Sequence, residues 1–249
     1  MRLPIPRVSR FVPLFVAASL AIAAAPASAA WKFAIPDGWI DLSPGKEAPK
    51  EIPAEVVTLA QSGVYAAYAI DLAGGKDGFA ENLNAVVNRR PFVADDASLK
   101  QYLDEFPAQV RREVPGGKVN VLEQAVQPIG GVPSLRLVAD IEMPTFTMRT
   151  LQYVIPGGDE TAALTYSATP DSFDEYLPTF EAAAKQTEGA AAAPMAARVG
   201  QKLLHTGVSA GDWQKIFGFA GKVIGAIVGV CVVLWISRMA KRRKTAGST

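Results

Sequence analysis

The residues able to do chemistry are few and poorly spaced for it. His205 is the only histidine and Cys231 the only cysteine. A nucleophilic Ser or Cys needs a base in reach, and an imidazole metal site needs several histidines. His205 stands in an Ala/Gly-rich stretch and Cys231 inside an apolar run. That takes Ser-His-Asp, Cys-His and multi-histidine arrangements out of the bulk of the chain. "GGKDG" at 74–78 lacks the spacing of a phosphate loop and its following Ser/Thr. Carboxylates and amides remain. Asp95-Asp96 and Asp104-Glu105 are adjacent in sequence, so on regular elements their side chains diverge, which suits helix capping and a solvated face. Asp159-Glu160, in a turn, has the atoms for Ca²⁺ but not the ligand pattern of a calcium loop. Asn82, Asn84 and Asn88 share one face of a candidate strand, which is either solvated or a hydrogen-bonding surface for a ligand. No catalytic, metal or cofactor-binding residue is assigned, and no cofactor is expected.

The ends of the chain carry clearer signals. Arg2, Arg7 and Arg10 precede an apolar run over 11–25 and the small-x-small site Ala27-Ser28-Ala29. These are the three parts of a secretory signal peptide, with cleavage expected before Ala30. Residues 216–237 form a second apolar run, about 33 Å long as a helix, against a bilayer core of about 30 Å. Lys222 interrupts it near one edge, from which its ammonium can snorkel to the headgroups. Trp213 and Trp235 lie near its margins, and Arg238, Lys241, Arg242, Arg243 and Lys244 come after it. Basic residues stay on the cytoplasmic side. Signal and tail therefore give one topology: a domain outside the cytoplasm, one inner-membrane helix, and a short basic tail inside. Gly218, Gly221, Gly225, Gly229, Val232 and Ile236 fall within about 80° of one another on that helix, a stripe that suits close helix pairing with itself or with another membrane protein.

Charge divides along the same boundaries. Residues 30–212 hold fifteen Lys/Arg against twenty-four Asp/Glu, whereas both ends are basic and lack acids. An acidic exported domain is unsuited to neutralising phosphates, which argues against nucleic-acid binding. Five segments result: signal peptide 1–29, exported domain 30–186, Ala/Gly-rich tether 187–212, transmembrane helix 213–238 and cytoplasmic tail 239–249.

The elements within 30–186 follow from apolar period. Trp31, Phe33 and Ile35 alternate before "PDGW", a turn expected to place Trp39 against the core. "AEVVTLAQ" and "VYAAYAIDL" flank Ser62-Gly63 and read as a hairpin. "NLNAVVNRR" reads as a strand with one buried face. Leu99, Tyr102, Leu103, Phe106 and Val110 keep helical spacing behind a capping box of Ser98 and Gln101, and Pro107 should kink or divide that helix. Four strands come next, "KVNVLEQAVQ", "SLRLVADIEM", "TFTMRTLQYVI" and "ETAALTYSAT", with turns at Gly130-Gly131, Met143-Pro144 and Gly157-Gly158-Asp159. A phase shift between Met148 and Leu151 predicts a bulge near Arg149. A second helix starts at Thr169-Pro170-Asp171 and carries Phe173, Tyr176, Leu177 and Phe180 on one face. The sum is an α+β fold, an antiparallel sheet covered by helices.

"WKFAIPDGW", "GFAENLNAVV", "SLKQYLDEF" and "YVIPGGDETAALTYSATPDSFDEYLPTFEAAAKQ", in that order, resemble the PsbP/DcrB-like α/β/α sandwich family over most of residues 30–186. That group includes bacterial envelope proteins, the extrinsic photosystem II subunit PsbP and Ran-binding import factors. The resemblance implies a binding or accessory module; the C-terminal membrane helix is an addition to the family plan. Three functions stay open. The first is a membrane-anchored, non-enzymatic binding or assembly module of the bacterial envelope, engaging another envelope or membrane protein. The others are a carboxylate-using envelope hydrolase or transferase, and a small-ligand carrier.

Overall fold

The computed structural model describes residues 31–73, 79–144 and 146–189. The expected signal, tether, transmembrane helix, glycine stripe and basic tail lie outside them. No described helix is long and apolar enough to cross a membrane.

In chain order the elements are β1 (Ile40–Asp41), α1 (Ala54–Ala60), β2 (Ala67–Ile70), β3 (Asn82–Asn88), α2 (Asp96–Glu113), β4 (Lys118–Ile129), β5 (Val132–Glu142), β6 (Thr147–Gly157), β7 (Glu160–Ala168) and α3 (Pro170–Lys185). They build one seven-stranded sheet in the order β1-β2-β3-β7-β6-β5-β4. Every neighbouring pair is antiparallel. Gly130 and Gly131, both at positive φ, turn β4 into β5 in the two-residue loop that matches strand twist. The four-strand run and its turns thus stand where apolar period placed them.

Alternation splits the sheet's side chains between two cores. Tyr68, Ile70, Val86, Leu137, Ala139, Ile141, Met148 and Val154 face Val56 and Ala60 of α1 and Tyr102, Phe106 and Val110 of α2. Leu83, Ala85, Val138, Leu151, Tyr153, Leu164 and Tyr166 face Phe173, Phe180, Ala183 and Ala184 of α3. Trp39 packs edge-on against Tyr176 and Phe180, as the "PDGW" turn requires, with Trp39 N–H donating to the Pro36 carbonyl. The fold class is therefore α+β, with helices on both faces of the sheet.

That double coverage explains several departures from the expectations of apolar period. "AEVVTLAQ" is helix, not the first arm of a hairpin. Val56 and Ala60, four residues apart, are buried on one face of α1, and Pro53 holds its N-cap position. Residues 31–35 form no strand; Lys32 makes an isolated β-bridge to Glu188, and Trp31, Phe33 and Ile35 pack into the α3-side core. Asn82 and Asn84 are not on a solvated face, because β3 lies inside the sheet under the α1/α2 layer and both are 1 % exposed or less. The bulge is in β4, between Val121 and Glu123, rather than near Arg149. Arg149 stays in register with Asp140 and with Ala168. With both faces of β6 covered, no single apolar phase has to persist along it.

Helix α2 begins earlier than its apolar spacing suggests. Asp95 is the N-cap, accepting from Ser98 N–H at 2.7 Å, so Ser98 lies in the first turn and is not half of a capping box with Gln101. Pro107 neither divides nor ends the helix, which continues to Glu113. Phe106 and Val110, both fully buried on either side of it, hold the two halves against the sheet. Tertiary burial outweighs the single backbone hydrogen bond that proline removes.

Candidate functional site

Three groups of polar or end-of-chain residues stand out, and each is built by a different part of the fold. The first joins the two ends of the described chain. Lys32 and Glu188 exchange both backbone hydrogen bonds, at 2.8 and 2.9 Å, and their side chains pair at 2.8 Å. Beside them the Trp31 indole is 8 % exposed and donates Nε1–H to Glu160 Oε2 at 3.0 Å. It sits in a slot made by glycines. A Cβ at Gly157 would meet Trp31 Cζ2 at 2.2 Å, and one at Gly189 would meet the same ring at 2.9 Å. The Phe33 ring lies nearly parallel to the indole, with centroids 6.0 Å apart. Thr187 is buried as well, so the chain stays on the domain through Gly189.

The second group is ionic and lies on the α3 side of the sheet. Arg149 makes a two-pronged pair with Asp140 at 2.7 and 3.0 Å and lies 5.7 Å from the Phe173 ring centre. Its hydrogen bond to Asp140 raises its pKa. Arg136 bonds Glu123 at 2.6 Å and Glu181 at 3.3 Å. Burial opposes its charge, yet the bonds to Glu123 and Tyr153 leave its pKa raised. At the start of α3, Ser172 Oγ donates to Glu81 at 2.9 Å and Tyr176 O–H to Asp71 at 2.7 Å. Burial, then the Asp71 bond, raises the Tyr176 pKa. The arginine pairs link β6 to β5 and β5 to β4, and Glu181, Ser172 and Tyr176 tie α3 to them and to the chain before β3.

The third group is uncharged and lies on the opposite face. Strand register sets Tyr68, Asn84, Thr165 and Gln152 in one row across β2, β3, β7 and β6. One pleat away, Asn82, Ser167 and Thr150 form a second row. At about 4.8 Å per strand the first row spans roughly 14 Å, with about 7 Å between rows. From above, Tyr102 of α2 donates its O–H to Gln152 Oε1 at 2.5 Å, and burial raises the Tyr102 pKa. Gln109, seven residues on and thus on the same helix face, is 1 % exposed. Several of these groups lack protein partners. Asn84 Nδ2 donates to the Thr165 carbonyl, but Asn84 Oδ1, Ser167 Oγ and both amide atoms of Gln109 meet no hydrogen-bonding protein atom. Each buried polar group left so costs about 1–3 kcal/mol. Helices α1 and α2 cover this face.

The carboxylate pairs singled out by sequence are dispersed. Asp95 caps α2, and Asp104 pairs with Lys100 on that helix's exposed face. Glu160 receives the Trp31 indole and lies 4.0 Å from Arg89, which fits it for closing the chain ends rather than holding a cation. Among the described residues no cluster of three His, Cys, Asp or Glu is placed to hold a metal. The structure does bring Asn82 and Asn84 together, but inside the fold, with Thr150, Gln152, Thr165 and Ser167, which apolar period passes over. Their signal in sequence is faint: polar residues on alternate positions of β3, β6 and β7, in strands whose other phase is apolar. Gly207-Val208-Ser209-Ala210-Gly211 does have the G-x-S-x-G spacing of a nucleophile elbow. That elbow needs a strand before it and a helix after it in an α/β-hydrolase sheet. Residues 207–211 lie outside the described ones, and the described sheet is antiparallel throughout.

No family model matches the chain, and no curated protein is similar to it in sequence. Solved structures with a similar arrangement include cyanobacterial PsbP (CyanoP) from Synechocystis sp. PCC 6803, at 14 % identity over 64 % of this chain and 86 % of that one, with a TM-score of 0.42. LpqN, described as involved in cell envelope biogenesis of Mycobacterium tuberculosis, is 14 % identical over 64 % of this chain and 82 % of that one, with a TM-score of 0.40. PA94 from Pseudomonas aeruginosa, a protein of unknown function described as a putative regulator, is 14 % identical over 48 % of this chain and 78 % of that one, with a TM-score of 0.38.

Proposed function

We propose that this chain is a non-catalytic binding or assembly module of the bacterial envelope, of PsbP/DcrB-like plan. Its α+β domain is held outside the cytoplasm by one C-terminal inner-membrane helix. The observation that carries the reading is the closure of the domain's two ends on each other at Trp31–Lys32 and Glu188–Gly189. The described ends lie side by side, so a C-terminal anchor would hold the domain at one edge and leave the rest of its surface to a partner. The engagement of Asp95 in a helix cap and of Asp104, Asp140 and Glu160 with cations or a donor supports a binding role over acid–base chemistry at these carboxylates.

The topology is tested by fusing a reporter that works only outside the cytoplasm. It should be active after Gln186 and inactive after Thr249; the reverse would overturn the orientation.

The glycine stripe extends the reading to the membrane. Val232→Cys in a Cys231→Ala background should crosslink in oxidised membranes if the helix pairs with itself, and Gly225→Ile should abolish that crosslink while leaving insertion intact. Native Cys231 lies roughly 120° from the centre of the stripe and should crosslink poorly. Efficient crosslinking through Cys231, or indifference to Gly225→Ile, would reduce the segment to a plain anchor.

A further inference from the structure

We infer that the face of the sheet beneath α1 and α2 is a binding site for a small neutral molecule that carries both hydrogen-bond donors and acceptors. The inference is independent of how the domain is anchored. It starts from chemistry that a purely structural core does not need. Interior positions between a sheet and its helices are ordinarily apolar, and a buried polar side chain ordinarily has its partners. Here uncharged polar residues occupy adjacent positions on β3, β7 and β6, the three strands at the middle of the sheet. Asn84 and Ser167 are fully buried and Gln109 is 1 % exposed, yet Asn84 Oδ1, Ser167 Oγ and the whole Gln109 amide lack protein partners.

The unused valences define the guest. Asn84 Oδ1 requires a donor, Gln109 offers two N–H donors and one acceptor, and Ser167 serves in either sense. A single molecule that both donates and accepts matches this set of unused groups. None of the residues on either row is charged, and neither is Gln109 or Tyr102. An ion placed here would be desolvated with no counter-charge, so anions, cations and metals are disfavoured. Aromatic surface completes the lining: Tyr102 stacks on Phe106 at 5.4 Å. A guest would have to pass α1 and α2, the two helices that cover this face. Helix α2 lacks one backbone hydrogen bond, since Pro107 cannot donate to the Leu103 carbonyl. Outward movement of α2 breaks the hydrogen bond of Tyr102 to Gln152 on the floor.

Acetamide, sodium acetate and xenon form a matched set of probes: neutral donor–acceptor, charged, and apolar. The full chain, in detergent micelles with ¹⁵N-labelled Asn and Gln side chains, is titrated with each. Acetamide should shift the Asn84 and Gln109 NH₂ signals saturably, in the millimolar range expected for so small a guest. Acetate and xenon should leave them in place. Asn84→Leu and Gln109→Met should each weaken the acetamide response at least tenfold while raising Tm by a few degrees, because an unsatisfied polar group has been removed. A site kept for binding at the expense of stability shows that opposite pair of effects. Ser172→Ala, on the other face of the sheet, serves as the control that should leave the acetamide response unchanged. Water cross-peaks to these amides with no acetamide shift would mean a hydrated core and overturn the site. So would an acetamide shift that survives both substitutions, or an equal response to acetate.

Discussion

Gly157→Ala should drive Trp31 out of its slot and destabilise the domain by about 3 kcal/mol or more, within the range for losing a buried tryptophan from a core. The added methyl carbon would lie 2.2 Å from Trp31 Cζ2, and the same six-membered ring is so close to Gly189 that a Cβ there would meet it at 2.9 Å, which leaves the ring little room to shift. Expulsion also removes the indole donor from Glu160, a carboxylate 8 % exposed. Trp31→Ala should cost a similar amount, about 3–5 kcal/mol. The decisive measurement is the double variant. If the cost of Gly157→Ala arises wholly from the ring, Trp31→Ala/Gly157→Ala will be no less stable than Trp31→Ala alone, a coupling well above the few tenths expected of independent sites. Urea denaturation of the four proteins gives the cycle. Strict additivity would mean that Gly157 matters for its own backbone and not as the wall of a slot. A fall in stability of this size corresponds to a drop in Tm on the order of 10 °C for a domain of this length.

Phe180→Ala should be comparably damaging, at about 3–5 kcal/mol. Phe180 is fully buried and stands at the centre of the α3-side core. Its ring contacts Trp39, Tyr166, Phe173 and Tyr176 at centroid separations of 5.1 to 6.0 Å. Truncation opens a cavity lined by four rigid rings, which relax poorly into the space, so the penalty belongs at the upper end of its range. Phe180→Leu keeps most of the volume and should cost under about 2 kcal/mol. Near-UV circular dichroism and the urea midpoint of both variants check the ordering. Equal effects of the two substitutions would show that aromatic geometry, and not volume, holds α3 to the sheet.

What was legible in the sequence was whatever depends on local period and punctuation. The run from β4 to β7 could be placed because each strand is long, each turn carries its glycine or proline, and adjacent strands in a hairpin-linked run pair with each other. Helix α3 could be placed because Thr169-Pro170-Asp171 starts it and Phe173, Tyr176, Leu177 and Phe180 repeat at helical spacing. The acidic character of 30–212 and the basic flanks are likewise properties of the chain itself. Tertiary structure decided the rest, and always through burial that no local window contains. Seven residues from Ala54 to Ala60 are too few for period to separate strand from helix; their fate turned on two positions, Val56 and Ala60, meeting the sheet. Asn82 and Asn84 look like a solvated strand face until β7 and β2 flank them and the α1/α2 layer covers them. Trp31 alternates like a strand residue, but its place was set by Gly157 and Gly189, 126 and 158 positions away. The polar rows exist only once register brings β2, β3, β7 and β6 side by side. Residue type dictates which atoms are on offer; whether those atoms meet water, a partner or neither is a property of the assembled sheet.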